Sequence, residues 1–369
     1  MKKIGFFVNS LIKAGPVNVV YDIIAHIDRE IYEPVIFVLR KQVEFRSLFD
    51  KFSSLNIKIF FLNFSFLQME SRAFFCAGII EQKLEEEGIT DVHAHSYNAA
   101  VILSKCKKNI RKIITFHNIC AEDFPRQKGL LLGNCMVLRY LNAIRKFDDK
   151  IGISDIVSDF YRKKIKDYSI VTIYNGIDCE KFFKPTLNQR ENIRKKFGLT
   201  DETVYVIIGT LSKRKNVIHI IDTIKKVKDE KKFFYFVGTG PLLKKCKQIA
   251  ADCKNIIFTG YQMDIRDYLA IADFSIAASK SEGFGLAALE VVVSGITLIY
   301  SDCKAFQELF SGNEVMKHYM FSLDDKNSLL IKINELNKID NFESIISTYR
   351  EKFDSKVMSK KYQQIYKGK

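Results

Sequence analysis

Short runs of apolar residues, separated by segments with helical spacing, recur along the chain and restrict its fold more than any other feature. In the first half these runs cover 4–8, 34–39, 57–62, 91–95, 112–116, 150–153 and 170–174. In the second half they cover 204–208, 233–237, 255–259, 274–278 and 296–300. Strand-like runs that alternate with helices predict parallel sheets covered by helices on both faces.

A polar stretch without periodicity separates the two series of runs. It follows the turn signal Asn175-Gly176, covers 178–190 and contains Pro185. A chain of 369 residues also suits two domains better than one. We therefore predict an α/β protein with doubly wound domains over 1–180 and 181–345. Apolar residues at helical spacing after 342 predict a C-terminal helix, 346–369, that packs back towards the first domain.

Composition narrows the classes of protein. Apolar residues make up 47% of the chain, but no run approaches the roughly 18 residues needed to span a bilayer. The first apolar run is also shorter than the roughly 7 to 15 residues of a secretory signal. The eight scattered cysteines lack metal-site spacing and are typical of reduced thiols in a cytoplasmic protein. A net charge of +15 favours anionic partners, which include nucleic acids, anionic membranes and phosphorylated substrates.

The loops after the predicted strands should carry the ligand site, because open parallel sheets bind ligands at the carboxyl ends of their strands. The loop that begins Gly238-Thr239-Gly240-Pro241 lacks the third glycine of a dinucleotide fingerprint, and the chain has no P-loop motif. These observations disfavour an oxidoreductase or a P-loop nucleotidase.

The loop 279–290 is different, because two carboxylates, Glu282 and Glu290, flank the glycines Gly283 and Gly285. The glycines allow close approach of a ligand to the backbone, and a helix over the next residues would direct its free amides at a diphosphate. Glu290 lies among apolar residues, so we expect it to need a partner. The three valines that follow also permit a strand, which would weaken this prediction.

With these residues the chain resembles the retaining, nucleotide-sugar-dependent glycosyltransferases of family 4. This family has the GT-B fold, in which two Rossmann-like domains face a cleft. The segment 279–290 is similar to the family's Glu-x7-Glu motif. The resemblance implies that Glu282 and the amides of 283–285 contact the donor sugar and its phosphates, while Glu290 accepts hydrogen bonds from the ribose.

The segment 208–216 resembles the loop in which an arginine and a lysine of the family bind the donor diphosphate. Lys215 matches the lysine, but Thr210 stands where arginine is usual. Arg214 or Lys213 would replace that arginine only if the loop turns one of them inwards. The turn at Gly238 resembles the family's Gly-x-Gly-Pro turn.

In the first half, the segment 14–20 takes the place of the family's glycine loop and most resembles enzymes of capsular polysaccharide, exopolysaccharide or O-antigen synthesis. The segment 115–118 resembles the strand end at which a histidine, here His117, points at the donor sugar. His95 ends the preceding strand, and its role stays open between packing and function. The resemblance gives as catalytic residues His117 and Glu282, and as donor-binding residues Gly15, Thr210, Arg214, Lys215, Gly238, Gly283, Phe284, Gly285 and Glu290.

The resemblance implies transfer of a hexose or N-acetylhexosamine from a UDP-sugar to a saccharide, with no cofactor. The chain has no Asp-x-Asp motif, which favours a metal-independent reaction. A sugar-nucleotide epimerase is an alternative with the same architecture. A nucleic-acid binder is disfavoured, because the lysine-rich segments lack interleaved aromatic residues.

The segment 124–147 mixes leucines with arginines and lysines in the manner of an interfacial segment. Together with the net charge, it predicts a cytoplasmic enzyme attached peripherally to the anionic inner membrane face, with a lipid-linked saccharide as acceptor. A pair of core helices is the alternative interpretation of this segment.

Overall fold

The computed structural model describes residues 1–42, 44, 47–107, 109–339 and 342–368, and these form two compact units. Unit 1 comprises Met1–Gly176 together with the chain from Ser355 onwards, and unit 2 is Ile177–Asp354. The chain thus leaves unit 1 a few residues before the sequence-based limit of 180 and returns to it after the limit of 345.

The described part of unit 1 contains a seven-stranded parallel sheet in the order β3-β2-β1-β4-β5-β6-β7. Its strands are β1 (Lys2–Val8), β2 (Tyr32–Val38), β3 (Lys58–Phe61), β4 (Asp91–Ala94), β5 (Arg111–Phe116), β6 (Asp149–Gly152) and β7 (Val171–Thr172). Its helices before the crossing to unit 2 are α1 (Gly15–Ala25), α2 (Phe49–Ser53), α3 (Phe66–Ser71), α4 (Ala73–Glu87), α5 (Tyr97–Leu103), α6 (Cys120–Lys128), α7 (Leu130–Ile144) and α8 (Asp155–Ile165). Central strands such as β1 are buried on both faces, which explains their uninterrupted apolar sequence.

The described part of unit 2 contains a six-stranded parallel sheet in the order β10-β9-β8-β11-β12-β13. Its strands are β8 (Thr203–Ile208), β9 (Lys232–Val237), β10 (Ile256–Gly260), β11 (Phe274–Ala277), β12 (Thr297–Ser301) and β13 (Met320–Phe321). Its helices are α9 (Leu187–Lys196), α10 (Val217–Ile224), α11 (Leu243–Ile249), α12 (Arg266–Ile271), α13 (Leu286–Val293), α14 (Lys304–Phe310), α15 (Glu314–Lys317), α16 (Ser328–Glu335) and α17 (Glu343–Phe353).

The last helix, α18 (Ser355–Lys367), belongs to unit 1 and packs against α1. Tyr362 and Tyr366 on this helix are fully buried. The Arg111 guanidinium donates to the carbonyl oxygen of Ile365 at 2.7 Å, and the Ser359 hydroxyl donates to that of Ile23 at 2.9 Å. The C-terminal helix therefore contributes to the core of unit 1.

The structure confirms the predicted fold class of two Rossmann-like parallel-sheet domains, and each predicted strand is present. Two local details differ from what the sequence indicated. The polar stretch 178–190 already contains the start of α9, which Thr186 and Gln189 cap and whose polar sequence shows no apolar stripe. The predicted C-terminal helix is two helices, because the carbonyl of Phe353 accepts from the amide of Ile177 at 2.9 Å and Asp354 is extended.

Candidate functional site

The site of unit 2 lies where the winding of its sheet reverses. β8 has β9 on one side and β11 on the other, so the carboxyl ends of β8 and β11 form a topological switch point, the usual ligand position in open α/β sheets. A groove at this point is lined by residues of the β8 and β11 loops and of the α13 and α14 helices, among them Gly209, Thr210, Lys215, Ser279, Ala287 and Phe306.

Backbone contacts between neighbouring loops fix the floor of this groove. The amide of Gly209 donates to Val237 and that of Leu211 donates to Thr239, each at 3.0 Å. Gly238 has a φ of 151°, and a Cβ there would stand 2.0 Å from the carbonyl oxygen of Gly209. Gly238 therefore serves the close packing of two loops.

Glu282 is the centre of a charged cluster at the end of β11. Its carboxylate receives Lys215 Nζ at 2.7 Å and Arg214 Nη1 at 2.5 Å. The Ser279 hydroxyl donates to the same carboxylate at 2.8 Å. The Glu282 side chain is only 9% exposed, so the structure brings together a buried carboxylate from the loop after β11 and two cations from the loop after β8.

These contacts decide the charge of Glu282. Burial alone would raise its pKa, but the charges of Lys215 and Arg214 and the hydrogen bonds from Lys215 and Ser279 outweigh burial and lower the pKa to about 2. Glu282 is therefore ionised at neutral pH, and the cluster carries one net positive charge.

The loop after β8 orients Arg214 towards this cluster. The Arg214 guanidinium also donates to the carbonyl oxygen of Ser281 at 3.0 Å, and its own carbonyl accepts from the amide of Lys280. Thr210, at the position where arginine is usual in the family, is exposed, and Lys213 is exposed as well. Arg214 is thus turned inwards, which was the condition for its taking the arginine's place.

Gly285 precedes α13, so the helical interpretation of this segment is correct and the strand alternative is wrong. Gly285 has a φ of 113°, and a Cβ there would lie 2.8 Å from the Phe306 ring. The Phe284 side chain is buried edge-on against Phe353, so only the backbone of this residue is left to contact a ligand. Gly283, which lies between Glu282 and Phe284 in the sequence, is half-buried.

Glu290 lies one turn into α13, on a face that it shares with the half-buried Leu286 and Ala287. Glu290 is itself half-buried, whereas its neighbours Leu289 and Val291 are fully buried. Its apolar neighbours in the sequence had indicated a carboxylate that needs a partner, and the structure shows a half-buried one. The 3.6-residue period of the helix places Glu290 on its less buried side.

In unit 1, Gly15 is the first residue of α1, the helix that comes after β1 in the chain, and His117 follows β5. His117 is half-buried, whereas His93 and His95 on and after β4 are buried. Burial lowers the pKa of His117 to about 3 and lowers those of His93 and His95 well below their usual range. The three imidazoles are therefore neutral at physiological pH.

His93 is held by side chains of β5 and α18. Its Nδ1 lies 2.9 Å from the Tyr366 hydroxyl and its Nε2 lies 2.9 Å from that of Thr115, which in turn lies 3.1 Å from the Tyr362 hydroxyl. Sequence reasoning did not assign these residues or Ser279 a role. For Ser279 a signal existed, since it precedes Glu282 by three residues within the motif, but the tyrosines come from far along the chain.

An exposed apolar surface of unit 1 lies on α3, α4 and α7. We call it the apolar patch, and its large side chains, each at least 45% exposed, are Phe66, Leu67, Phe74, Phe75, Leu130, Leu131, Leu132 and Leu138. Lys128 Nζ lies 5.8 Å from the centre of the Phe66 ring, and Arg139 bonds to Glu70 at 2.8 Å, which ties α7 to α3. Within the segment 124–147, residues 126–132 are all exposed, while Gly133, Tyr140, Ala143 and Ile144 of α7 are buried.

No helix in the described ranges is long and apolar enough to cross a membrane. Within the same ranges, no group of three or more histidine, cysteine or acidic side chains is arranged to hold a metal ion.

Two family models match the chain. The model described as Glycosyltransferase Family 4 matches residues 14–181, and the model described as Glycosyl transferases group 1 matches residues 189–353. The two matches meet near the crossing between the units, and together they support glycosyl transfer over the predicted alternative of a sugar-nucleotide epimerase.

Individual proteins are also similar to this chain over most of their length. The chain is 27% identical to the O-antigen biosynthesis glycosyltransferase WclY of Escherichia coli, over 99% of this chain and 98% of that one. It is 28% identical to the UDP-Gal:alpha-D-GlcNAc-diphosphoundecaprenol alpha-1,3-galactosyltransferase of Escherichia coli, over 75% of this chain and 70% of that one. The crystal structure of Anabaena Alr3699/HepE in complex with UDP and glucose superposes with a TM-score of 0.81 at 16% identity, with each chain fully covered.

Proposed function

Because this chain belongs to the glycosyltransferases of family 4 and group 1, we propose that it transfers a hexose or N-acetylhexosamine from a UDP-sugar to a saccharide acceptor, with retention of the anomeric configuration. The cluster of Glu282, Arg214 and Lys215 at the switch point carries this proposal. The similarity to WclY supports a role in the synthesis of a bacterial surface polysaccharide, and the UDP in the Anabaena structure supports the choice of nucleotide.

The chemistry explains why cations and a carboxylate stand together. When the sugar–phosphate bond breaks, negative charge leaves on the diphosphate while positive charge develops on the sugar ring. Arg214, Lys215 and the amides around Gly283 and Gly285 would stabilise the diphosphate. Glu282 would contact the sugar, where its charge becomes more favourable as the ring becomes cationic.

The acceptor hydroxyl must lose a proton as it attacks. In the retaining mechanism that the family implies, an oxygen of the departing phosphate takes this proton on the same face of the sugar. His117, neutral and half-buried, would support the sugar by hydrogen bonding. Glu290 would accept hydrogen bonds from the ribose, and Gly15 would lie near the donor at the start of α1.

Arg214 would supply the second cationic contact that Thr210 does not give. This assignment predicts that Arg214→Met weakens UDP binding by about tenfold, since one charge-assisted contact is worth about 1.5 kcal/mol or more. Adding Thr210→Arg to this variant should restore much of the loss. Lys213→Met is the matched control, because Lys213 is exposed and adjacent in sequence. Equal losses in Lys213→Met and Arg214→Met would contradict the assignment.

A panel of nucleotide sugars tests the reaction without knowledge of the acceptor. The purified chain should slowly hydrolyse one donor, and the released sugar, followed by NMR before mutarotation, should keep the donor's anomeric configuration. Lys215→Met should abolish this hydrolysis. Hydrolysis of no donor, or release of the opposite anomer, would contradict the proposed function.

We further propose that the acceptor is a lipid-linked saccharide and that the apolar patch attaches the chain to an anionic membrane face. The patch combines exposed leucines and phenylalanines with flanking lysines such as Lys105 and Lys128, the combination that favours anionic interfaces. The diphosphoundecaprenol in the name of the galactosyltransferase relative supports a lipid-linked acceptor.

Flotation with vesicles that contain anionic lipid tests the attachment. The chain should float at low salt and be released at high salt. Leu130→Ser with Leu131→Ser should weaken binding at least tenfold, whereas Leu187→Ser, at an equally exposed leucine of unit 2, should not. Binding that is absent at low salt, or that survives the double substitution, would overturn the assignment.

A further inference from the structure

His95 and His117 form a direct pair at the ends of neighbouring strands. Nδ1 of His95 lies 3.0 Å from Nε2 of His117, and the ring centres are 5.3 Å apart. His95 is 4% exposed, whereas His117 is half-buried. The half-buried imidazole of His117 is therefore in contact with the buried imidazole of His95.

The second ring nitrogen of His95 has no hydrogen-bond partner among the described residues. The ring of His93 is nearest, with centres 4.0 Å apart, but both of its nitrogens already bond to Tyr366 and Thr115. Phe6 stacks on His95 from another side. A proton passed from His117 to His95 would have nowhere to go, so the pair is not built as a proton relay.

The unpartnered nitrogen decides which way the hydrogen bond runs. Both imidazoles are neutral, so each has one N–H and one bare nitrogen. If His117 donated, His95 would carry an unpaired N–H in its buried surroundings, and orphaned buried N–H groups are rarer than unsatisfied acceptors. If His95 donates from Nδ1, only a lone pair is left unpartnered. His117 then accepts at Nε2 and carries its proton on Nδ1.

We infer that His95 is a positioning residue, which fixes the ring and the tautomer of His117 so that Nδ1–H is presented as a donor to a hydroxyl of the transferred sugar. The pairing itself stands on the geometry of unit 1, and the sugar as its target rests on the proposed function. The fixed tautomer spares the enzyme from sampling two forms in each catalytic cycle.

Nitrogen-15 NMR of the full chain labelled in its six histidines tests the pairing, because protonated and bare ring nitrogens resonate apart. The signals of His117 are assigned by their loss in His117→Asn. We expect a single Nδ1–H form in the wild type and a mixture of tautomers in His95→Phe. His95→Asn, whose amide can donate from the position of Nδ1, should retain the single form. A mixture in the wild type, or no change in His95→Phe, would overturn the inference.

Kinetics test the consequence for the sugar. His95→Phe should lower kcat by about 2- to 12-fold, the range of one neutral hydrogen bond, and leave UDP affinity unchanged, because UDP lacks the sugar. His95→Asn should recover most of the turnover. Unchanged kcat in His95→Phe refutes the positioning role.

If His95→Phe does not fold, the tautomer of the wild type and the rescue by His95→Asn relative to His95→Leu decide in its place. Failure of the wild type to transfer any sugar contradicts the proposed function, while the NMR result still decides the pairing.

Discussion

Replacing Glu282 with glutamine should strengthen UDP binding and at the same time reduce sugar transfer. In the structure the carboxylate neutralises part of the charge of Arg214 and Lys215, the cations proposed to bind the diphosphate. A diphosphate that binds there competes with Glu282 for the same two groups. The glutamine variant keeps the size of the side chain but removes the competing charge.

The magnitude follows from the pKa of Glu282, which is lowered from 4.5 to about 2. This change corresponds to about 3 kcal/mol of favourable interaction with the ionised form, net of the cost of burial. If the diphosphate displaces about half of that interaction, its binding loses about 1.5 kcal/mol in the wild type. The Glu282→Gln variant should then bind UDP about tenfold more tightly.

Titration calorimetry with UDP, together with initial rates at saturating donor, separates the two effects. We expect a lower Kd for UDP and a large fall in kcat, because the contact between Glu282 and the cationic sugar ring forms only with the complete donor. Melting temperatures show whether the variant remains folded. If Glu282→Gln weakens UDP binding, the carboxylate supports the diphosphate site and does not compete with it, and the reasoning fails.

Other perturbations address separate parts of the molecule. Glu290→Gln should lower UDP affinity by about 10- to 150-fold if Glu290 accepts from the ribose, and unchanged affinity in calorimetry would refute that role. Stability should fall as pH drops below about 6.5, because His93, His95 and His117 stay neutral when folded but gain protons when unfolded. Each of the three should lower the free energy of unfolding by about 1.4 kcal/mol per pH unit. His95→Phe should flatten this dependence in thermal melts between pH 7 and 5. Activity should survive EDTA, and a loss that magnesium or manganese restores would contradict Lys215 and Arg214 as the main counter-charges.

The sequence was sufficient for the central sheet strands, such as β1, because they are buried on both faces. Such strands are apolar without interruption, and the pattern is readable without tertiary information. The strand β13 escaped prediction because its two residues stand in an apolar run of only three, 319–321, whereas the two residues of β7 lie within the longer run 170–174. The helix α9 escaped because its residues are mainly polar and its start depends on the capping pair Thr186 and Gln189.

The site was predictable wherever its residues follow strands within one motif. Lys215 lines the groove at the switch point and bonds to Glu282, and both residues lie in loops after predicted strands, where the sequence had placed the ligand site. Their roles in donor binding stay predictions. Contacts that depend on distant parts of the chain were not readable. Tyr366, more than 270 residues from His93 in sequence, reaches its imidazole only because α18 returns to unit 1.

Arg214 shows where the limit between sequence and structure lies. A motif comparison registers Thr210 as a missing cation, because it compares residues at fixed positions. Electrostatic stabilisation depends on where the charged atoms are, and the turn after β8 carries the Arg214 guanidinium to within 2.5 Å of Glu282 from a position four residues later. The hydrogen bond from Arg214 to the carbonyl of Ser281 also holds the guanidinium in that place. On the proposed function, the path of the loop supplies the charge that position 210 lacks, which is why the paired substitutions at 210 and 214 should compensate each other.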